Sequence, residues 1–132
     1  MATGRDVAAG QAAIRFHRGM AYFNLRTRNG RDLAIADFGA ALELQRDFPA
    51  ALVARGMAVL AYDDEVERAF RDFNRAIALD PTFYPAYWAR GELADRQGDP
   101  ASALADYKLA FELIPRGDDA ANDAKFMQPL LS

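Results

Sequence analysis

At 132 residues the chain has the size of one domain with a single buried core. Its composition, 52% hydrophobic and 27% charged, excludes a disordered chain, and the lack of cysteine excludes disulfides and thiolate metal sites. A net charge of −3 argues against nucleic acid as a partner, and no stretch approaches the ~20 apolar residues of a membrane span, which argues against membrane insertion.

The opening MATGRDVAAGQ has no apolar segment of signal-peptide length, so a cytoplasmic protein is expected. The first predicted element carries Arg18-Gly19, and the second carries AIADFGAALEL from Ala34. Both recur. Arg55-Gly56 precedes AFRDFNRAIALDP from Ala69, and Arg90-Gly91 precedes ALADYKLAFELIP from Ala103. Ala34, Ala69 and Ala103 align at offsets of 35 and 34 residues. With them align Asp37, Asp72 and Asp106; Phe38, Phe73 and Tyr107; and Ala41, Ala76 and Ala110. A period in the mid-thirties is the mark of stacked repeats.

The spacing also separates links inside a unit from links between units. Ala41 to Gly56 and Ala76 to Gly91 are both 15 residues. Gly19 to Ala34, Gly56 to Ala69 and Gly91 to Ala103 are 15, 13 and 12, the differences falling in the polar RTRNGRD and YDDEVER stretches. Each unit is therefore two elements joined by an adjustable loop.

Both elements are predicted helices. Ala103, Tyr107, Ala110 and Leu113 or Ile114 keep the three- and four-residue spacing of one helical face, in segments rich in Ala, Leu, Arg and Glu. Pro81 and Pro115 stop the second helices, and Asp99-Pro100 reads as an N-cap with proline in the first turn. The recurring glycines and alanines let paired backbones approach closely. We place the units at 12–48, 49–83 and 84–117 within a single domain 1–132, with 118–132 as a capping helix and apolar tail. Asp118 or Asp119 would cap that helix, and Phe126, Met127, Leu130 and Leu131 make it more apolar than a plain cap requires.

No constellation for chemistry emerges. There is no glycine-rich phosphate loop, no metal-spaced cluster and no nucleophile with a base, so neither enzyme nor cofactor is expected. His17 reads as an ordinary helical residue, and the acidic run Asp63-Asp64-Glu65 with Glu67 reads as the favourable start of a helix. Arg18, Arg55 and Arg90 on first helices and Asp37, Asp72 and Asp106 on second helices read as a structural ion-pair ladder in preference to an anion site.

The spacing Gly91, Ala94, Ala103, Tyr107, Ala110, Pro115, with its counterparts upstream, resembles the tetratricopeptide repeat over roughly residues 12 to 117. Departures are Arg46 at the terminal proline of the first unit, Leu60 and Ala94 where an aromatic is usual, and the arginines at 18, 55 and 90. The resemblance implies an all-α, right-handed superhelical stack of antiparallel helix pairs whose first helices line a concave groove for a partner protein. Carried over by phase from the three glycines, the groove residues would be Phe16, Met20, Phe23 and Asn24, then Val53, Met57 and Leu60, then Trp88, Glu92, Asp95 and Arg96. Ala13, Ala50, Ala61 and Pro85 share that phase. Some family members clamp a C-terminal carboxylate with Lys, Asn and Arg. Phe16, Met20, Ala54, Pro85 and Ala89 stand at the positions assigned to that clamp, so it is absent on this reading. The expectation is an adaptor that binds an apolar helix or peptide of a partner, with a homo-oligomer built through the groove or the tail as the alternative.

Overall fold

A threonine sets the start of the first helix. Thr3 accepts a hydrogen bond from the Asp6 backbone N–H at 3.1 Å, while the Asp6 carboxylate accepts one from the Thr3 N–H at 3.0 Å, a reciprocal capping box. The computed structural model describes residues 3–62 and 65–115, and helix α1 runs over Gly4–Asn24. It begins well ahead of the residue 12 at which the repeat pattern starts, because the capping box lies outside that pattern. Helix α2 (Arg28–Leu44) follows, capped by Thr27, whose hydroxyl accepts from the Gly30 N–H at 2.9 Å. Next come α3 (Pro49–Val59) and α4 (Val66–Leu79), then α5 (Tyr84–Arg96) and α6 (Pro100–Leu113). Pro49 and Pro100 occupy the first turns of their helices, and Asp99 caps α6 through the Ser102 N–H at 3.2 Å.

The chain is thus all-α, with no strand among the described residues, and the helices form three antiparallel pairs, α1–α2, α3–α4 and α5–α6. Two of the turns inside pairs use left-handed backbone: Gly98 (φ 78°) between α5 and α6, and Arg26 (φ 54°) between α1 and α2. Glycine enters that region freely, whereas arginine does so at a cost. Among the described residues no helix is long and apolar enough to cross a membrane. The expected capping helix and apolar tail at 118–132, and Asp63 and Asp64 of the acidic run, lie outside the described residues.

One contact is repeated in each pair. The Phe38 ring lies over Gly19, Phe73 over Gly56 and Tyr107 over Gly91. A Cβ at those glycines would come within 2.6, 2.5 and 2.8 Å of ring carbon. Ala34, Ala41, Ala69, Ala76, Ala103 and Ala110 are all buried around these rings. Phe38 and Phe73 are wholly enclosed, and a continuous core joins the three pairs through Phe16, Leu52, Val53, Val59 and Leu93. The first helices touch in succession, α1 to α3 and α3 to α5, so they form one face of the stack.

Each pair is also tied by an ion pair. Arg18 donates from Nε and Nη2 to Asp37 at 2.8 and 2.7 Å, Arg55 to Asp72 at 2.9 and 2.9 Å, and Arg90 to Asp106 at 2.8 and 2.8 Å. All three bonds are bidentate and all three aspartates are buried. The arginines reach the aspartate of their own pair, and Arg90 adds a bond to Asn74 of the preceding pair at 2.9 Å. These guanidiniums are therefore structural and do not form an anion site.

Candidate peptide-binding groove

The face built from α1, α3 and α5 has fewer exposed apolar groups than the helical phase suggests. Phe16 is 7% exposed, Val53 0% and Leu60 2%, so these three belong to the core and are corrected from groove to interior. Phe16 packs against Phe38 and Phe48, with ring centroids 6.0 and 5.1 Å away. The physical reason is crowding. Each first helix touches its own second helix on one side and the neighbouring first helix on the other, which leaves a narrow stripe for solvent. Ala54, Pro85 and Ala89 are buried for the same reason, so these three were not positions at which a carboxylate clamp would show.

Of the other expected groove residues, Met20, Phe23, Met57, Trp88 and Glu92 are half-buried, and Asn24, Asp95 and Arg96 are exposed; Met20 and Trp88 do not line the cleft described next. Phe23, Asn24, Met57, Glu92, Asp95 and Arg96 come together around a cleft of about 430 Å³. Four further residues complete it: Arg26 and Thr27 from the α1–α2 turn, Arg31 from α2, and Tyr107 from α6. The phase argument missed these because it followed only the first helices. Two signals for them were present, the polar RTRNGRD stretch and the hydroxyl that sets Tyr107 apart from Phe38 and Phe73.

Phe23, Met57 and Tyr107 give the cleft its apolar lining, beside charged groups of both signs. Arg26 and Arg31 stand on the side of the first pair, and Glu92, Asp95 and Arg96 stand on α5. Glu92 accepts a hydrogen bond from the Trp88 indole Nε1–H at 3.3 Å, one helical turn away. Trp88 in turn packs on Tyr107, with ring centroids 4.8 Å apart and planes inclined by 45°. Burial pushes the Glu92 carboxyl above its ordinary value; the indole hydrogen bond and the charge of Arg96 pull it back only in part. Burial likewise raises the Tyr107 phenol, and the charges of Glu92 and Asp95 add to that effect. Nothing here suggests covalent chemistry, and among the described residues there is no metal-holding cluster of His, Cys, Asp or Glu.

A family profile for the tetratricopeptide repeat matches residues 84–116, the third helix pair. No curated protein sequence matches the chain. Among solved structures, the Arabidopsis OM64 TPR domain superposes with a TM-score of 0.73 at 20% identity, covering 89% of this chain and 94% of that one. The first TPR of Spaghetti (RPAP3), bound to the HSP90 peptide SRMEEVD, gives 0.71 at 26% identity, covering 94% and 96%. The first TPR domain of human RPAP3 gives 0.70 at 25% identity, covering 92% and 93%.

Proposed function

We propose that this chain, whose third helix pair matches the tetratricopeptide-repeat profile and whose fold is that of tetratricopeptide-repeat domains, acts as an adaptor that receives a peptide segment of a partner protein in its concave cleft. The observation that carries this reading is the cleft itself. About 430 Å³ of space lies between the α1–α2 turn, α3 and α5, lined by Phe23, Met57 and Tyr107 together with charged groups. A few apolar contacts surrounded by convergent polar groups are what a peptide site requires. The unbranched Met57 side chain adapts its packing to the anchor it receives. The apolar part is small, so one anchoring side chain on a helix or extended segment fits better than a long apolar stripe.

The Spaghetti domain holds SRMEEVD, a segment with three acidic residues. Glu92 and Asp95 disfavour an acidic side chain at the α5 end of this cleft, although its three arginines outnumber them, which supports a ligand of mixed charge for this chain. The test is selection from a random 12-residue peptide library displayed on phage, followed by titration of the selected peptides. Met57→Glu and Met20→Glu should each weaken capture about tenfold or more, with helical circular dichroism retained. Undiminished capture by both variants would place the binding surface elsewhere.

Assembly of copies is a second reading, supported by exposed apolar side chains at both ends of the stack. Ile14 on α1 is 68% exposed, and Phe111 and Leu104 on α6 are 72% and 55% exposed. Concentration-dependent mass in light scattering that is lost on Phe111→Asp would favour it over capture of a partner peptide.

A further inference from the structure

We propose that the peptide held in this cleft presents a lysine or arginine to α5, where Glu92 and Asp95 receive its cationic head beside Tyr107. The inference rests on the adaptor reading above and deepens it by assigning the partner a side chain and a direction.

The argument starts from Glu92. Its carboxylate is half-buried and is oriented by the indole of Trp88, which is itself held against Tyr107. Tyr107 is fixed by its seat over Gly91, where a Cβ would lie 2.8 Å from the ring. Indole, phenol ring and carboxylate are thus joined in one chain of contacts. Asp95 follows three residues later on the same helix and lines the same cleft, so two carboxylates stand together there. A cation at this point gains charge-assisted hydrogen bonds to the carboxylates.

The other occupants fit less well. An acidic side chain here meets two like charges in a partly desolvated site. An apolar one removes still more water from Glu92, whose ionised form burial already disfavours, and offers nothing in return. Arg96, one turn beyond Glu92, offsets part of the negative charge, and like Asp95 it is exposed. The cleft as a whole holds three arginines and two acids, so its net charge does not attract a basic protein at long range. What it imposes is register. Arg31 faces the carbonyl or acidic end of a bound segment, the apolar lining of Phe23 and Met57 takes one apolar side chain, and α5 takes the base.

Peptides selected on phage against the full chain should share a Lys or Arg at a fixed distance from an apolar residue. In a fluorescein-labelled peptide of that kind, replacing the base by Met should weaken binding about tenfold to the parent protein. Against the Glu92→Gln, Asp95→Asn double variant the same peptide change should matter less than about threefold. Melting curves establish that the double variant is folded. Glu92→Lys should reverse the preference, favouring a peptide with Glu in place of the base. Selected peptides that need Met57 yet show no preference for a base, or lose the same affinity on both proteins, overturn this inference and leave the adaptor reading standing. Selected peptides indifferent to both Met57→Glu and Met20→Glu overturn both.

Discussion

Two glycines, both inside helices, test the packing in opposite directions. Gly56 lies under Phe73, and a Cβ built there meets three ring carbons at 2.5, 3.0 and 3.0 Å. Phe73 is fully buried and cannot swing away without opening the core. Gly39 lies within α2, and a Cβ there meets nothing within 4 Å. Alanine favours a helix interior over glycine by about 0.5–1 kcal/mol at either site. At Gly39 that gain is unopposed, so Gly39→Ala should stabilise by about 0.5–1 kcal/mol. At Gly56 an overpacking cost of about 1–3 kcal/mol is set against it, so Gly56→Ala should come out neutral to about 2 kcal/mol destabilised. The measurable quantity is the difference between the variants, about 1–3 kcal/mol, because the helix-propensity term cancels. Chemical denaturation of parent and variants supplies it, and thermal melts should separate by several degrees in the same order. Equal stability of the two variants would refute the reasoning, since the ring contact would then impose no limit on how closely α3 and α4 approach.

Further outcomes follow from the charges. Asp72→Ala, which leaves Arg55 half-buried beside an empty site, should cost about 3 kcal/mol in denaturant titration; Asp72→Ala with Arg55→Met should recover most of that loss, and additive losses would exclude the pairing. The Arg18 guanidinium holds the Asp37 carboxyl below its ordinary value of 3.8, so its stabilisation is complete at neutral pH and is lost as pH falls through the lowered value. The stability gap between parent and Asp37→Asn, followed by melting from neutral to strongly acid pH, should therefore narrow only at the acid end. Glu92 carries the opposite sign. Its raised carboxyl penalises the ionised form in the fold, so Glu92→Gln should match or exceed the parent at neutral pH, and its advantage should fade as acidification protonates the parent's carboxyl.

The architecture was legible because packing imposed the same requirement three times. An aromatic ring over a glycine needs that glycine and that ring in every pair, and a buried aspartate needs its arginine. Repetition turned single-residue signals into a pattern that propensity alone does not give. The groove was less legible because two different environments select the same residue types. Val53 and Met57 are both apolar and one helical turn apart on α3, yet the first is enclosed between helices and the second borders the cleft. The sum of the neighbours on both sides of α3 decides which is which, and no count along one helix contains that sum. Arg26 and Arg31 escaped for another reason: they sit in the link of variable length, where the phase from Gly19 no longer applies.

The repeated positions also show where specificity has room to arise. The arginine–aspartate pairs bring equal and opposite charges together inside each hairpin, so they present little difference from one pair to the next. On the proposed function, a ligand in the groove would read the positions at which the pairs differ. Directly after the shared glycines stand Met20, Met57 and Glu92, and the rings over those glycines belong to Phe38, Phe73 and Tyr107. The third pair departs from the first two at both places, and the departures meet: the Tyr107 ring, the Trp88 indole and the Glu92 carboxylate are joined in one contact chain at the cleft. Neither change is needed to hold α5 against α6, since phenylalanine and methionine serve at the same positions elsewhere in the stack. Burial raises both the Glu92 carboxyl and the Tyr107 phenol, a desolvation cost that methionine and phenylalanine at the same positions do not carry. That cost is the physical reason for proposing recognition at the third pair and scaffolding by the features that all three share.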